Sequence, residues 1–138
     1  MMSKTIGMIK PDAVANGQIE NIVKDIEAAG FAVTRRAHGV LDRQDAESLY
    51  EEHREAAHFN DLVDFTVSGP VELLELEHPG NNAPAEFRKL MGPTKIEEAT
   101  EGTLRHKYGT DFRRNAIHGS DSQDSAVREY ELFERYFG

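Results

Sequence analysis

The 138 residues contain no cysteine, which excludes a disulfide framework and thiolate chemistry. No apolar run approaches the roughly 18 residues that a membrane span needs, so no membrane partner is expected. Residues 1–12 lack the apolar core of a secretory signal, and a cytoplasmic protein is predicted. Positive charge is also scarce. Lys and Arg number 16 against 25 Asp and Glu, a net charge of −9. Nucleic acid requires a cationic face, so it is not an expected partner. Any phosphate must be met by a few local cations. Several chemical signatures are missing too. There is no G-x-x-x-x-G-K-[ST] loop, no G-x-G-x-x-G fingerprint after a strand and no G-x-S-x-G elbow. The six histidines show neither H-x-x-x-H nor H-E-x-x-H spacing, which argues against a histidine metal site.

What is present suits one globular domain, taken as residues 1–138, with 38% hydrophobic and 30% charged residues. Thr5-Ile6-Gly7-Met8-Ile9 reads as a buried strand that Lys10-Pro11-Asp12 ends. Ile19, Ile22, Val23 and Ile26 stripe a helix over 18–29 that Gly30 caps. A second strand follows over 31–41, with Arg35 and Arg36 facing solvent or a neighbouring subunit. Asp42 is an N-cap candidate for a helix carrying Ala46, Leu49, Tyr50 and His53 on one stripe. Residues 56–66 fit a helix through Phe59, Leu62, Val63 and Thr66, in preference to a strand. Ser68-Gly69-Pro70 is a turn, and Val71–Leu76 a third strand with Glu72 and Glu75 at its edges. Asn82 can cap a helix with Pro84 in its first turn and Ala83, Phe87 and Leu90 inside, which leaves Arg88 just off the buried face.

Residues 91–115 are poorly patterned, with short helices expected only near 96–99 and 104–108. A connection of that kind in a compact domain is usually functional, and this one holds Thr94, Arg105, Arg113 and Arg114. The stretch Asn115-Ala116-Ile117-His118-Gly119-Ser120-Asp121-Ser122 comes next. Its first part reads as a fourth, short strand. Ser120 and Gln123 have capping-box spacing, with Asp121 or Ser122 as other caps, so a helix is predicted right after His118. Ala126, Tyr130, Phe133 and Phe137 stripe that last helix. Histidine is a competent nucleophile toward phosphorus at neutral pH. A partner must hold its tautomer, and Glu129 is close enough in sequence to reach back.

Lys10-Pro11-Asp12, Ser68-Gly69-Pro70, Leu90-Met91-Gly92-Pro93-Thr94, Gly102-Thr103-Leu104-Arg105 and above all the 115–122 run resemble nucleoside diphosphate kinase. The match covers nearly the whole chain, in order. The resemblance implies an α/β (α+β) fold of ferredoxin-like sandwich type, a four-stranded antiparallel sheet covered by helices. Strand pattern alone leaves a parallel, doubly wound sheet open. The resemblance also implies ping-pong transfer of the terminal phosphoryl group from ATP to a nucleoside diphosphate, with low base specificity. It makes His118 the nucleophile, Glu129 its orienting partner and Ser120 a neighbour hydrogen-bonded nearby. Lys10, Arg88, Thr94 and Arg105 would meet phosphates, and Lys10 and Asn115 the ribose. Tyr50 would sit against His118, and Leu62 would support the base-binding helix. Mg2+ would bridge nucleotide phosphates, with Asp121 the nearest carboxylate.

The chain departs from the family pattern in three places. Ala56-Ala57-His58 stands where Arg-Pro-Phe is usual, Phe112 stands where a small aliphatic is common, and Lys95-Ile96 replaces Asn-Pro. With His58 in the usual phenylalanine position, Phe112 is expected to be the main base platform and His58 a weaker lid. Phe59 then turns inward beside Leu62; a shifted register would present Phe59 to the base instead. A sheet edge and the Arg-bearing second strand need cover, which predicts a homo-oligomer built from dimers; the missing Asn-Pro and the short end at Gly138 favour a dimer or tetramer over a hexamer. Two other readings remain open on sequence grounds: a histidine phosphocarrier and a nucleotide-sensing module on the same fold.

Overall fold

The computed structural model describes residues 3–111 and 113–137. Four strands form one sheet: β1 (Ser3–Ile9), β2 (Ala32–Gly39), β3 (Val71–His78) and β4 (Ile117–Gly119), in the order β2-β3-β1-β4. All three pairings are antiparallel, which settles the arrangement that strand pattern left open. The helices are α1 (Pro11–Ala15), α2 (Ile19–Ala28), α3 (Arg43–Leu49), α4 (Phe59–Thr66), α5 (Ala83–Met91), α6 (Leu104–Tyr108) and α7 (Gln123–Phe137). Single 3-10 turns occupy Glu51–His53 and Ile96–Glu98.

The strands alternate, and their two faces build two cores. Ile9, Leu74 and Leu76 face α2 and α5, packing with Ile22, Ile26 and Phe87. Ile6, Met8 and Leu73 face the other way, packing with Leu49, Phe59, Val63 and Phe133 of α3, α4 and α7. The approach of α5 depends on two glycines. Gly7 on the interior strand β1 and Gly119 on the edge strand β4 are register partners. A Cβ on Gly119 would lie 2.7 Å from both Phe87 and Met91, and one on Gly7 would lie 3.2 Å from Phe87. Gly119→Ala is therefore expected to cost about 1–3 kcal/mol of unfolding free energy by overpacking. An unchanged midpoint in urea would show that α5 retreats freely.

Several expectations are corrected. Pro11 does end β1, but it also opens α1 at a position where its missing N–H costs nothing. The helix expected over 18–29 runs Ile19–Ala28, and Gly30 terminates it as expected, at φ 99° with its N–H donating to Glu27 O at 3.0 Å. Glu72 and Glu75 are not at an edge. They lie on the interior strand β3, 6% and 3% exposed. Arg36 is exposed and Arg35 half-buried, and both also neutralise these carboxylates: Arg35 Nη2 lies 2.7 Å from Glu75, and Arg36 Nε 2.8 Å from Glu72. Arg35 holds the Glu75 carboxyl at about 2, well below the usual carboxylate range. Leu90 is only half-buried, and Met91 takes the inward place. The last helix starts at Gln123, later than the Ser120 box predicted. Ser122 Oγ accepts from Ser125 N at 3.1 Å, and Ser125 Oγ accepts from Ser122 N at 3.0 Å, so the two serines cap reciprocally.

Candidate functional site

A cleft of about 820 Å³ opens between the α3–α4 side of the molecule and the 88–105 segment, with β4 at its floor. His118 is the central residue of β4, paired with Met8 of β1. The strand is preceded by a sharp backbone feature. Ala116 adopts φ 75°, and Ile117 N donates to Asn115 O at 2.9 Å across it. That is a three-residue turn with a positive central φ, a strained form for a residue with a Cβ. Two hydrogen bonds hold the fully buried Ala116 there: its N donates to Asp12 Oδ2 at 3.1 Å, and its carbonyl accepts from Lys10 N at 2.8 Å. The turn delivers Asn115 and His118 to the same cleft.

His118 Nε2 lies 2.8 Å from Glu129 Oε1, and Ser120 Oγ donates to that same oxygen at 3.1 Å. Glu129 is 2% exposed. An ionised carboxylate only accepts, so this geometry suits the tautomer with the proton on Nε2 and the lone pair on Nδ1. Tyr50 packs edge-on against the imidazole, centroids 5.2 Å apart at 75°. Ser120, read from sequence as a cap, thus serves Glu129 instead.

Positive charge gathers beside His118. Lys10 is 2% exposed and donates from Nζ to Asn115 Oδ1 at 3.0 Å. Burial pulls its pKa down to about 7; nearby Asp12 opposes the drop and Arg105 adds to it. Arg105 is held from behind, its Nη1 donating to Gly92 O and its Nη2 to Ile117 O, both at 2.9 Å, with Nε buried and unpartnered among the described residues. Burial lowers its pKa as well. Arg88, on α5, is exposed on the wall and donates to Asp121 O at 3.2 Å. Thr94 and Asp121 are exposed members of the cleft lining, and Asn115 is a buried one.

The far wall carries His53, His58 and Leu62. The His53 and His58 rings lie 5.9 Å apart. Phe59 is absent from this wall. It is 6% exposed and belongs to the core of α3, α4 and α7 with Leu62, while the Arg54 guanidinium covers its ring at 5.1 Å. The expected inward turn of Phe59 is therefore the arrangement found. Phe59→Ala is expected to cost about 3 kcal/mol of stability while ADP affinity stays within about two-fold. A large loss of ADP affinity with little loss of stability would place the ring at the base after all. Phe112, the other expected base contact, lies outside the described residues.

Sequence reading missed Asp12, whose carboxylate ties α1 to the strained turn and whose pKa burial raises. Its adjacency to Lys10-Pro11 was the available signal. Among the described residues no group of three His, Cys, Asp or Glu is arranged to hold a metal ion. Asp121 is a lone carboxylate, which fits an ion brought in on nucleotide phosphates and not one caged by protein.

The family model for nucleoside diphosphate kinase matches residues 3–136. A nucleoside diphosphate kinase of a Nitratiruptor species is 42% identical over 132 residues, 96% of this chain and 95% of that one. One from Legionella pneumophila (strain Lens) is 43% identical over 129 residues, covering 94% and 90%. Among solved structures, the Aquifex aeolicus nucleoside diphosphate kinase superposes with a TM-score of 0.90 at 34% identity, covering 96% of this chain and 95% of that chain. A halophilic nucleoside diphosphate kinase from Halobacterium salinarum, solved in complex with CDP, also gives 0.90, at 37% identity over 96% and 88%. With the sheet order, the His118–Glu129 pair and the cationic cleft already in view, these matches place the chain in the nucleoside diphosphate kinase family, as an enzyme that transfers phosphoryl groups between nucleotides.

Proposed function

We propose that His118 Nδ1 accepts the terminal phosphoryl group of ATP and passes it to a nucleoside diphosphate. The observation that carries this reading is the pairing of Nε2 with a buried carboxylate on a histidine that lines the cleft, which leaves Nδ1 as the nitrogen to meet phosphorus. The Nδ1 lone pair forms a bond to the γ-phosphorus as the bond to the bridging oxygen breaks, and ADP departs with that electron pair. The ring gains positive charge as the bond forms, and Glu129 stabilises it. The incoming diphosphate then attacks along the same line, and the P–N bond breaks. Phosphoryl transfer asks chiefly for alignment and for cations on the transferring oxygens. Lys10, Arg88 and Arg105 supply the charge and Thr94 a hydroxyl. Tyr50 holds the imidazole plane, and Ser120 keeps Glu129 Oε1 aimed. When bound, Mg2+ would neutralise phosphate oxygens, with Asp121 the carboxylate in reach.

Lys10 and Asn115, already bonded to each other, face the ribose. The base lies along His58 and Leu62, and Phe112 remains its platform on sequence grounds. No described helix is long and apolar enough to cross a membrane, and the proposed reading places the enzyme in the cytoplasm. The eight-residue edge strand β2 needs cover, and a homo-oligomer built from dimers provides it. A monomer mass by light scattering at every salt concentration would overturn that assembly.

The central test is sequential. Incubation with ATP and magnesium should leave an acid-labile, base-stable phosphoryl group on the protein. Removal of nucleotide followed by GDP should discharge it as GTP. GTP formation only when both nucleotides are present together would rule out the covalent route.

A further inference from the structure

Arg128 lies one residue before Glu129 on α7, with its side chain outside the cleft lining. Its guanidinium touches three things. Nη1 donates to Ser48 O, in the last turn of α3. Nη2 pairs with Glu52, a member of the cleft wall. Nη2 also lies 3.8 Å from Glu129 Oε2, the carboxylate oxygen that His118 and Ser120 do not use. The Ser48 contact sits two residues before Tyr50, whose ring abuts His118, and Glu52 is the neighbour of His53. One cation thus grips the carboxylate behind the nucleophile and the segment that flanks it.

We propose that Arg128 is a positioning residue for phosphoryl transfer, acting through Glu129 and through the Tyr50–His53 segment. The inference rests on the roles given above to His118 and Glu129. The physics has two parts. A buried carboxylate with one oxygen fully used needs charge compensation at the other, and a guanidinium 3.8 Å away on the solvent side supplies it. A cation hydrogen-bonded to a carbonyl in the last turn of α3 also meets the negative end of that helix and fixes where it stops. Arg128 retains substantial exposure, 37% of its side chain, so a fold built mainly on Arg128 is not at issue.

The test measures single-turnover phosphorylation by ATP and magnesium in rapid-quench experiments, alongside ADP binding by calorimetry. Arg128→Met is expected to slow phosphorylation about 10-fold, with the ADP dissociation constant within about two-fold. Arg128→Lys, which keeps a cation opposite Glu129, should recover most of the rate. In the Glu129→Gln background the same Arg128→Met change should slow the step by about three-fold or less, because the charge it serves is gone. A wild-type rate in Arg128→Met overturns the proposal. So does a slowing that is equally large in both backgrounds and is not recovered by lysine, which would mark a purely structural residue. Failure of the underlying reading looks different: the wild-type protein itself would carry no phosphohistidine, or Glu129→Gln would transfer at the wild-type rate.

Discussion

Asparagine in place of His118 is expected to give a folded protein that binds nucleotides and transfers nothing. His118 sits on the short edge strand β4, and its fold contacts are the Glu129 hydrogen bond and the Tyr50 ring. Asparagine retains an N–H that can meet Glu129 but has no nitrogen lone pair for phosphorus. The loss in turnover should be roughly 10⁴-fold or more, the scale set by deleting a nucleophile. Acid-labile phosphoprotein should vanish with it, while ADP affinity and the urea midpoint change little. Glu129→Gln removes only the orienting charge and should slow phosphorylation by about 100-fold. Full turnover in His118→Asn would end the covalent reading, and an unchanged rate in Glu129→Gln would reduce that carboxylate to a packing element.

Lys10 carries the second large effect. Its ammonium is buried, with a pKa of about 7 in place of its ordinary value of 10.5. Between those two values the unfolded chain binds more protons than the native one, so this group makes stability rise with pH from about 7 toward 10.5. With Lys10 in its proposed place on the phosphates, nucleotide binding should reverse the preference. Polyphosphate oxygens favour the charged form, so ADP binding at about pH 8 should draw in close to one proton, and affinity should fall as pH climbs above about 7. Calorimetry in two buffers of different ionisation enthalpy reads this directly. Equal apparent enthalpies at that pH would show that Lys10 is charged in the free enzyme or stays neutral in the complex. Lys10→Met should remove the proton uptake, flatten the rise in stability between about pH 7 and 9, and lower kcat/KM by about 10³-fold, as for a lost donor to transition-state charge.

The elements with strong local signals were legible in the chain itself. Asn82 caps α5 as its position implied, its Oδ1 accepting from Ala85 N at 3.3 Å with Pro84 in the first turn. The Phe59, Leu62, Val63 and Thr66 stripe forms α4 and is wholly buried. The 115–122 run marked the centre of the cleft because its residue types are unusual together. What escaped was decided by partners far away in the chain. Glu72 and Glu75 look like edge residues until β2 brings Arg36 and Arg35 across, 36 and 40 positions away. Ser120 has good capping spacing, but Glu129 competes for its hydroxyl and Ser122 is available to cap in its place. The role of Asp12 depends on an amide 104 positions later. No local period encodes contacts of that kind.

That long reach has a consequence for how the enzyme comes into being. Lys10 meets Asn115 across 105 positions, so β1 must wait for most of the domain to be synthesised before it finds β4. A chain still emerging from the ribosome holds β1, β2 and β3 with their helices, yet it has neither the nucleophile nor the carboxylate behind it. Domains tend to fold as whole units, with distant pairings closing late. The nascent protein is therefore chemically silent until α7 is released. Assembly of the cleft is thus expected to coincide with completion of the fold.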